Sequence, residues 1–86
     1  MENEKTLEIL VLITGEKIIS QIEEVYSDLG KPDCKLINPF LINSDNLSPW
    51  FEEYTDDEEI MISSDKILTI LEPKQTFLDK YLELTQ

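Results

Sequence analysis

The chain has 86 residues, of which 41% are hydrophobic, and a formal net charge of -12 at pH 7. This length predicts one domain, residues 1–86, with a small core, and the aliphatic content excludes intrinsic disorder. Seven basic residues against nineteen acidic ones disfavour nonspecific DNA binding by a monomer, and the absence of histidine excludes Ser-His and Cys-His catalytic pairs and most zinc sites.

Neither an export signal nor a membrane span is evident in the sequence. The residues before the first apolar run lack a basic leader, and no stretch approaches the roughly 20 apolar residues that cross a bilayer. The single cysteine, Cys34, cannot form an intramolecular disulfide, which indicates a reducing compartment. We therefore expect a cytoplasmic protein that has no membrane partner.

The first predicted elements are two strands joined by a tight turn. Residues 7–13 are rich in β-branched side chains and predict the first strand. In residues 17–26, Ile18 and Ile22 fall on one face of a strand and Ile19 on the other. A helix is the alternative for this second segment, because the same three isoleucines also fit helical spacing.

A loop and a third strand follow. Residues 27–34 contain glycine, proline and two aspartates, and this composition predicts a loop. Residues 35–42 predict the third strand, in which Pro39 cannot donate a hydrogen bond to a neighbouring strand. The strand is therefore expected either to bend at a bulge at Pro39 or to lie at the edge of the sheet.

Aromatic side chains follow a second polar loop, residues 43–49. Trp50, Phe51 and Tyr54 predict a fourth strand. These rings could stack on the bases of a single-stranded nucleic acid. The acidic residues around them would repel phosphates, however, which favours packing in the core or at a subunit interface.

Two more strands and a helix complete the predicted elements. Residues 60–62 and 66–71 predict short strands on either side of a polar turn, residues 63–65. A helix is expected over about residues 74–84, because apolar side chains recur there at helical spacing. The members of this apolar stripe are Phe77, Leu78, Tyr81 and Leu82.

Together these elements predict an all-β fold class with one helix. Strands of this length are too short for a large flat sheet, so we expect a small, strongly bent, five-stranded antiparallel open barrel followed by a C-terminal amphipathic helix. An open barrel leaves edge strands, which proteins either blunt or use for pairing. Cyclic self-association by edge pairing is therefore expected.

Six acidic residues lie within eight positions, residues 52–59. They could gather a metal ion or a cationic partner. An EF-hand calcium loop, however, needs alternating ligands and a central glycine, and this segment has adjacent acidic pairs and no glycine. A solvated turn is the favoured interpretation.

No catalytic apparatus is evident. Gly15 and Gly30 are isolated, so neither a phosphate-binding loop nor a dinucleotide fingerprint can form. Cys34 has no neighbouring base and is interpreted as an ordinary thiol, with a reactive thiol as the alternative. We expect no enzyme, no cofactor and no metal site. Paired carboxylates acting as acid and base are the remaining enzymatic alternative.

The order of elements resembles the Sm-like family, the small barrels of Sm, Lsm and bacterial Sm-like RNA chaperones. Residues 10–22 look like the family's first motif, a strand, a turn glycine and a second strand, and residues 60–62 and 67–70 look like its second motif. Residues 63–66 depart from the family, which has there an Arg-Gly pair that cradles a base. Ser20 replaces a usual glycine, and the helix is C-terminal rather than N-terminal.

The resemblance implies a divergent, phage-type member with an SH3-like, Sm-like barrel. Members form rings in which the fourth strand of one subunit pairs with the fifth of the next, and RNA lies on one face. It also implies candidate nucleic-acid-binding positions in two loops, each of which also fits an ordinary turn or surface residue. These candidates are Tyr26, Asn38, Ser64 and Lys66.

Two functions follow as expectations. The first is a homo-oligomeric Sm-like ring that binds RNA or single-stranded DNA weakly in nucleic-acid processing or regulation. The second is an acidic protein-interaction adaptor or nucleic-acid mimic, in which the carboxylates of residues 52–59 occupy the basic groove of a partner protein.

Overall fold

The computed structural model describes residues 6–85, so residues 1–5 and 86 of the expected domain lie outside the described residues. Six antiparallel strands and one C-terminal helix form the described fold, which confirms the predicted fold class. The elements are β1 (Thr6–Leu12), β2 (Lys17–Glu24), β3 (Cys34–Asn43), β4 (Asn46–Pro49), β5 (Glu59–Ile62), a 3-10 turn (Ser64–Lys66), β6 (Ile67–Leu71) and α1 (Gln75–Thr85).

The strands form one open sheet in the order β4-β3-β2-β1-β6, and β5 also pairs with β3. β1 and β2 are joined by a tight turn in which Gly15 has a φ of 95°, a conformation that glycine adopts without steric cost. The first half of β3 pairs with β5 and its second half pairs with β4. Because β2 occupies the other edge of β3, β4 and β5 follow one another along the same edge, and the sheet bends between them.

The bend lies at Asn38 and Pro39. Asn38 has a φ of 53°, in the left-handed region that asparagine tolerates better than most residues. The register between β2 and β3 shifts opposite this point, where the buried Ser20 hydroxyl lies 3.1 Å from the carbonyl oxygen of Ile37 and can donate to it. The predicted bulge at Pro39 is confirmed. The edge-strand alternative is wrong, because β3 is paired on both sides.

Apolar side chains are buried on both faces of the sheet. Ile18 and Ile19 follow one another in β2, have 0% exposure and belong to different clusters. The predicted alternation of β2 is therefore confirmed, and the helix alternative is wrong. The first cluster fills the interior of the open barrel with Leu10, Leu12, Ile18, Leu36 and Trp50. The second lies between the sheet and α1 and contains Ile19, Phe40 and Tyr81.

Tyr81 holds α1 against the bend of β3. Its ring packs edge-on against Phe40, with 5.6 Å between the ring centroids. Its one hydroxyl hydrogen can be donated to the carbonyl oxygen of Ile37 or to that of Asn38, at 3.0 and 2.8 Å. Burial of the hydroxyl raises the pKa of Tyr81 to about 12. The helix therefore supplies a hydrogen-bond donor to the carbonyl groups at the bend.

The predicted helix agrees with α1 to within one residue at each end. Tyr81 is buried, and Phe77 and Leu78 are half-buried, as the apolar stripe predicts. Leu82 is exposed, although the stripe includes it. The helix thus covers the sheet with a narrower face than its apolar pattern predicts.

The predicted aromatic fourth strand is wrong. Residues 43–49, expected to be a loop, contain a tight turn in which Ser44 has a φ of 58°, followed by β4. Residues 50–54 form turns in which the Tyr54 amide donates to the Phe51 carbonyl oxygen at 2.9 Å. Phe51 has a φ of 62°, which breaks an extended strand. The fourth strand therefore precedes the aromatic residues, and the sheet has six strands where a five-stranded barrel was expected.

Candidate functional site

Asp33 fastens the loop between β2 and β3 to the 3-10 turn. The Ser64 amide donates to Asp33 Oδ1 at 2.7 Å, and the Ser64 hydroxyl donates to Asp33 Oδ2 at 2.8 Å. The Asp33 amide donates to the Ile62 carbonyl oxygen at 3.2 Å. The hydrogen bonds from Ser64 hold the pKa of Asp33 below its ordinary value. Residues 25–33 and 63–66 therefore form one continuous surface, called here the loop surface.

Three of the four candidate nucleic-acid-binding residues lie on the loop surface. The Tyr26 side chain is fully exposed, so its ring is available for stacking. The Ser64 hydroxyl is already bound to Asp33. The Lys66 side chain is exposed, and its carbonyl oxygen accepts a hydrogen bond from the Ile13 amide at 3.0 Å. The hydrogen bonds of Asp33 thus join the loop that carries Tyr26 to the turn that carries Ser64 and Lys66.

Asn38, the fourth candidate, lies elsewhere. It is four residues along β3 from Cys34, or about 13 Å from the start of the strand. Its amide donates to the Glu58 carbonyl oxygen at 2.6 Å, and its own carbonyl oxygen accepts from Tyr81. These bonds and its left-handed backbone give Asn38 a structural role at the bend. The structure does not bring it to the loop surface.

The loop surface carries little of the chain's negative charge. Its cations are Lys31 and Lys66, and its carboxylates are Asp28, Asp33 and Asp65. Both lysines are exposed. Long-range repulsion from a net charge of -12 therefore acts on an approaching phosphate, but the local balance at this surface is close to neutral.

The outer edge of β6 is the second candidate surface. β6 ends the strand order, so no strand of residues 6–85 pairs with this edge. Leu68, Ile70 and Leu71 are 69%, 51% and 47% exposed. Leu68 lies at an irregularity in the register with β1, which accounts for its high exposure. An unpaired apolar edge is a template for pairing with another strand.

The acidic segment, residues 52–59, is exposed along its whole length apart from Thr55. Glu59 forms an ion pair with Lys35, with 3.7 Å between the charged atoms. A cleft of about 500 Å³ separates the acidic segment from β3 and the end of α1. No cluster of three or more His, Cys, Asp or Glu side chains within residues 6–85 could hold a metal ion.

The aromatic residues near the acidic segment divide into a buried and an exposed group. Trp50 is buried in the first cluster, and its amide donates to the Pro39 carbonyl oxygen at 2.9 Å. Phe51 stacks on Trp50, with 4.5 Å between the ring centroids. Phe51 and Tyr54 are exposed. Of the three aromatic residues, only Trp50 therefore packs in the core, as the sequence analysis favours.

Cys34 is the first residue of β3 rather than part of the preceding loop. Its side chain is buried, and burial raises the pKa of the Cys34 thiol. The charges of Asp33 and Glu24 raise it further. A raised pKa lowers the fraction of reactive thiolate, which favours the ordinary-thiol interpretation.

The fold and the two surfaces define a class, a small antiparallel β-domain with one covering helix and an open apolar strand edge. Residues 5–86 match a family of unknown function, DUF6561, and the chain belongs to that family. No curated protein matches the chain. In the described part of the chain, no helix has the length and apolar character needed to cross a membrane.

Proposed function

We propose that the protein is a divergent Sm-like domain that forms a cyclic homo-oligomer by edge-strand pairing and binds RNA or single-stranded DNA weakly. The observation that carries this proposal is the exposed apolar outer edge of β6. The β1–β2 hairpin and the β5–turn–β6 unit also lie where the sequence resemblance expects the two motifs. A role in nucleic-acid processing or regulation follows from such binding.

Self-association buries apolar surface that a chain this short leaves exposed. A domain of this size buries only about 60% of the surface that its unfolded chain exposes, and oligomerisation buries more. The side chains that would become buried are already apolar in β6, so their removal from water stabilises the assembly. A single exposed aliphatic residue would carry no argument, but three such residues in one edge strand do.

The loop surface is the proposed nucleic-acid site. Tyr26 offers a fully exposed ring for base stacking, and Lys31 and Lys66 offer cations for phosphates. With two phosphate contacts on a single strand, the logarithm of the binding constant falls with the logarithm of salt concentration by a slope of about -1.4. Binding is therefore expected to be weak and only moderately dependent on salt.

A titration of the assembled protein with U-rich and A-rich oligonucleotides at two salt concentrations tests this site. Tyr26→Ala is expected to weaken binding about tenfold, because one stacked base is lost. Tyr54→Ala is the matched control, since Tyr54 is an exposed tyrosine outside the loop surface. Absence of binding at low salt, or equal effects of the two variants, contradicts the proposed site.

A second candidate function is an acidic adaptor or nucleic-acid mimic that binds a basic partner protein. The observation that favours it is the continuous exposure of the six acidic side chains of residues 52–59. Carboxylates displayed at close spacing attract a basic groove over a distance set by the Debye length. Glu59 is already paired with Lys35, so the other five acids carry most of this attraction.

Competition with a labelled DNA for poly-L-lysine tests the adaptor function. Two variants are compared, each with six acids changed to the corresponding amides, so that their net charges are equal. One carries the changes at the six acids of residues 52–59, and the other at Glu16, Glu24, Asp28, Asp45, Asp79 and Glu83. The adaptor function requires the first variant to compete less well. Equal loss in both variants means that only net charge matters and removes the basis of this function.

A further inference from the structure

The turns that follow β4 border a groove, called here the aromatic groove, whose lining comes mostly from residues 49–54. We infer that this groove binds the guanidinium group of an arginine on a basic partner protein. The guanidinium stacks on the rings of Phe51 and Tyr54 and pairs with the carboxylates of Glu52 and Glu53. The groove belongs to the adaptor function proposed above, on which the inference rests, and it is separate from the loop surface and the β6 edge.

Two exposed rings form the wall of the aromatic groove. Phe51 stacks on Trp50 with 19° between the ring planes, which covers one face of the Phe51 ring, yet Phe51 is 45% exposed. The Tyr54 ring stands at 60° to that of Phe51, with 6.4 Å between the centroids. A cation interacts with an aromatic ring when it lies within about 6 Å of the ring centroid. One cation can therefore lie within reach of both rings.

The backbone of Phe51 holds its ring at the groove in a conformation that bulky residues rarely adopt. Its φ of 62° lies in the left-handed region, where asparagine or glycine would meet less strain. The amides of Tyr54 and Thr55 both donate to the Phe51 carbonyl oxygen, at 2.9 and 3.1 Å, and these bonds fix the turn. Strained residues are concentrated at binding and active sites. The two rings are thus held in place before a ligand arrives, which lowers the entropy cost of binding.

The charge of the aromatic groove selects a cation as its occupant. Glu52 and Glu53 lie between the two ring residues in the chain, are exposed and line the groove. Among the described residues that line it there is no lysine. Its volume of about 320 Å³ is enough for one side chain. The carboxylates repel the phosphates of a nucleic acid, so the rings serve a cationic side chain rather than a base.

An arginine fits the aromatic groove better than a lysine does. The guanidinium is planar and weakly hydrated, so it stacks on a ring face while the N–H groups at its edge donate to a carboxylate. The ammonium of lysine is a compact and strongly hydrated charge that gains less from a ring. All seven basic residues of this chain are lysines, so a second copy cannot supply the arginine. The arginine therefore comes from a different protein.

Peptides of equal charge test the choice of arginine. The full chain is titrated with hexa-arginine and with hexa-lysine in 0.15 M salt, where long-range attraction is screened beyond about 8 Å. Hexa-arginine is expected to bind about two- to fivefold more tightly, because only the guanidinium stacks. Trp50 is the single tryptophan of the chain and lines the groove, so its fluorescence reports occupancy. Calorimetric binding of hexa-arginine without a change in this fluorescence overturns the inference.

Ring variants locate the preference in the aromatic groove. Tyr54→Leu and Phe51→Leu keep the charge and an apolar side chain, and each is expected to bind the two peptides about equally. Tyr54 is 80% exposed, so its replacement leaves the core intact even if the turn does not tolerate the change at Phe51. Tyr26→Leu, at an exposed tyrosine of the loop surface, is the matched control and should keep the preference. A preference that survives in Tyr54→Leu contradicts the site.

Charge variants separate pairing in the groove from net charge. Glu52→Gln with Glu53→Gln is compared with Glu24→Gln and Glu83→Gln, two exposed glutamates outside the groove, so both variants lose the same charge. The first variant is expected to weaken hexa-arginine binding at least about threefold more than the second. Equal weakening contradicts pairing with Glu52 and Glu53.

The outcomes distinguish the arginine site from the adaptor function on which it rests. If the wild-type chain binds both peptides equally while the acids of residues 52–59 remain necessary in the poly-L-lysine competition, the arginine site is wrong and the adaptor function stands. If the chain binds neither peptide, both are wrong. Weaker oligonucleotide binding by Tyr54→Leu would assign the rings to a nucleic acid and would also overturn the inference.

Discussion

The centre of the sheet and its β6 edge differ in how completely they are covered. In β2, Ile18 and Ile19 are fully buried against two separate clusters, one inside the barrel and one beneath α1. In β6, Leu68 and Ile70 keep half or more of their surface in water. The stability of the single chain therefore resides in the centre, while the edge is available for association.

Removing a central side chain is expected to have the largest effect on folding. Leu36 is fully buried in the first cluster, so Leu36→Ala should lower the free energy of unfolding by about 2 to 5 kcal/mol. Leu68→Ala is the matched control at the edge and should change it by less than about 0.5 kcal/mol. Chemical denaturation of dilute protein measures both. Similar losses at the two sites would mean that the edge is not open in the single chain.

Removing the Tyr81 hydroxyl tests how α1 contributes to the centre. Tyr81→Phe keeps the ring contact with Phe40 but removes the donor to Ile37 and Asn38. A loss of about 1 to 2 kcal/mol in the free energy of unfolding is expected. Tyr54→Phe, at an exposed position, should have no measurable effect. An unchanged free energy for Tyr81→Phe would contradict the proposed attachment of the helix to the bend.

The pH dependence of the free energy of unfolding also tests the burial of the Tyr81 hydroxyl against the bend of β3. Burial raises the pKa of Tyr81 from its ordinary value of 10.0 to about 12. The unfolded chain therefore loses this proton at lower pH than the folded chain, and the contribution to stability is complete below pH 10. It is lost as the pH rises from 10 to about 12. Tyr81→Phe should flatten this part of the curve, and an unchanged slope would exclude Tyr81 as its cause.

Asp33 gives a smaller and more local effect. Asp33→Ala removes both acceptors of Ser64, so the Ser64 amide should exchange with solvent faster while core amides keep their protection. The lowered pKa of Asp33 means that its contribution is present above pH 3.8 and is lost as the pH falls below it. Asp28→Ala is the control in the same loop. Unchanged exchange at Ser64 would contradict the fastening of the loop to the turn.

The smallest effect on folding and the largest on assembly are expected at Leu68. Leu68→Lys places a charge on an exposed edge position, so the free energy of unfolding of the dilute chain should change by less than about 0.5 kcal/mol. Assembly should be lost, because a lysine on an edge strand opposes pairing. Leu84→Lys is the control, since Leu84 is an exposed leucine on α1. Equal loss of assembly in both variants would show that β6 is not the interface.

Sequence periodicity predicted the elements whose residues alternate or repeat locally. The isoleucines of β2 and the apolar stripe of α1 are examples, because strand and helix periods are fixed by backbone geometry. The β4 hairpin was missed because its turn depends on the left-handed backbone of Ser44, and polar residues alone do not distinguish such a turn from a loop. The aromatic residues led to a predicted fourth strand that follows the actual β4 in the chain. The left-handed backbone conformation of Phe51 prevents an extended strand there.

The candidate surfaces were less accessible to sequence reasoning. Asp33 and Ser64 are 31 residues apart, so only the fold brings their side chains together. The run from Ile67 to Leu71 has the composition of a buried strand, and its exposure follows from its place at the end of the strand order. Asn38 lies within the predicted third strand, and its backbone hydrogen bonds assign it to the bend rather than to the loop surface.

Sedimentation equilibrium of the wild-type chain over a range of concentrations tests self-association most directly. A single chain has a mass of 10.0 kDa. Pairing through β6 predicts a mass that rises with concentration to a whole multiple of this value, and that stays at the single-chain value for Leu68→Lys. A wild-type mass of 10.0 kDa at every concentration would contradict the use of β6 as an interface.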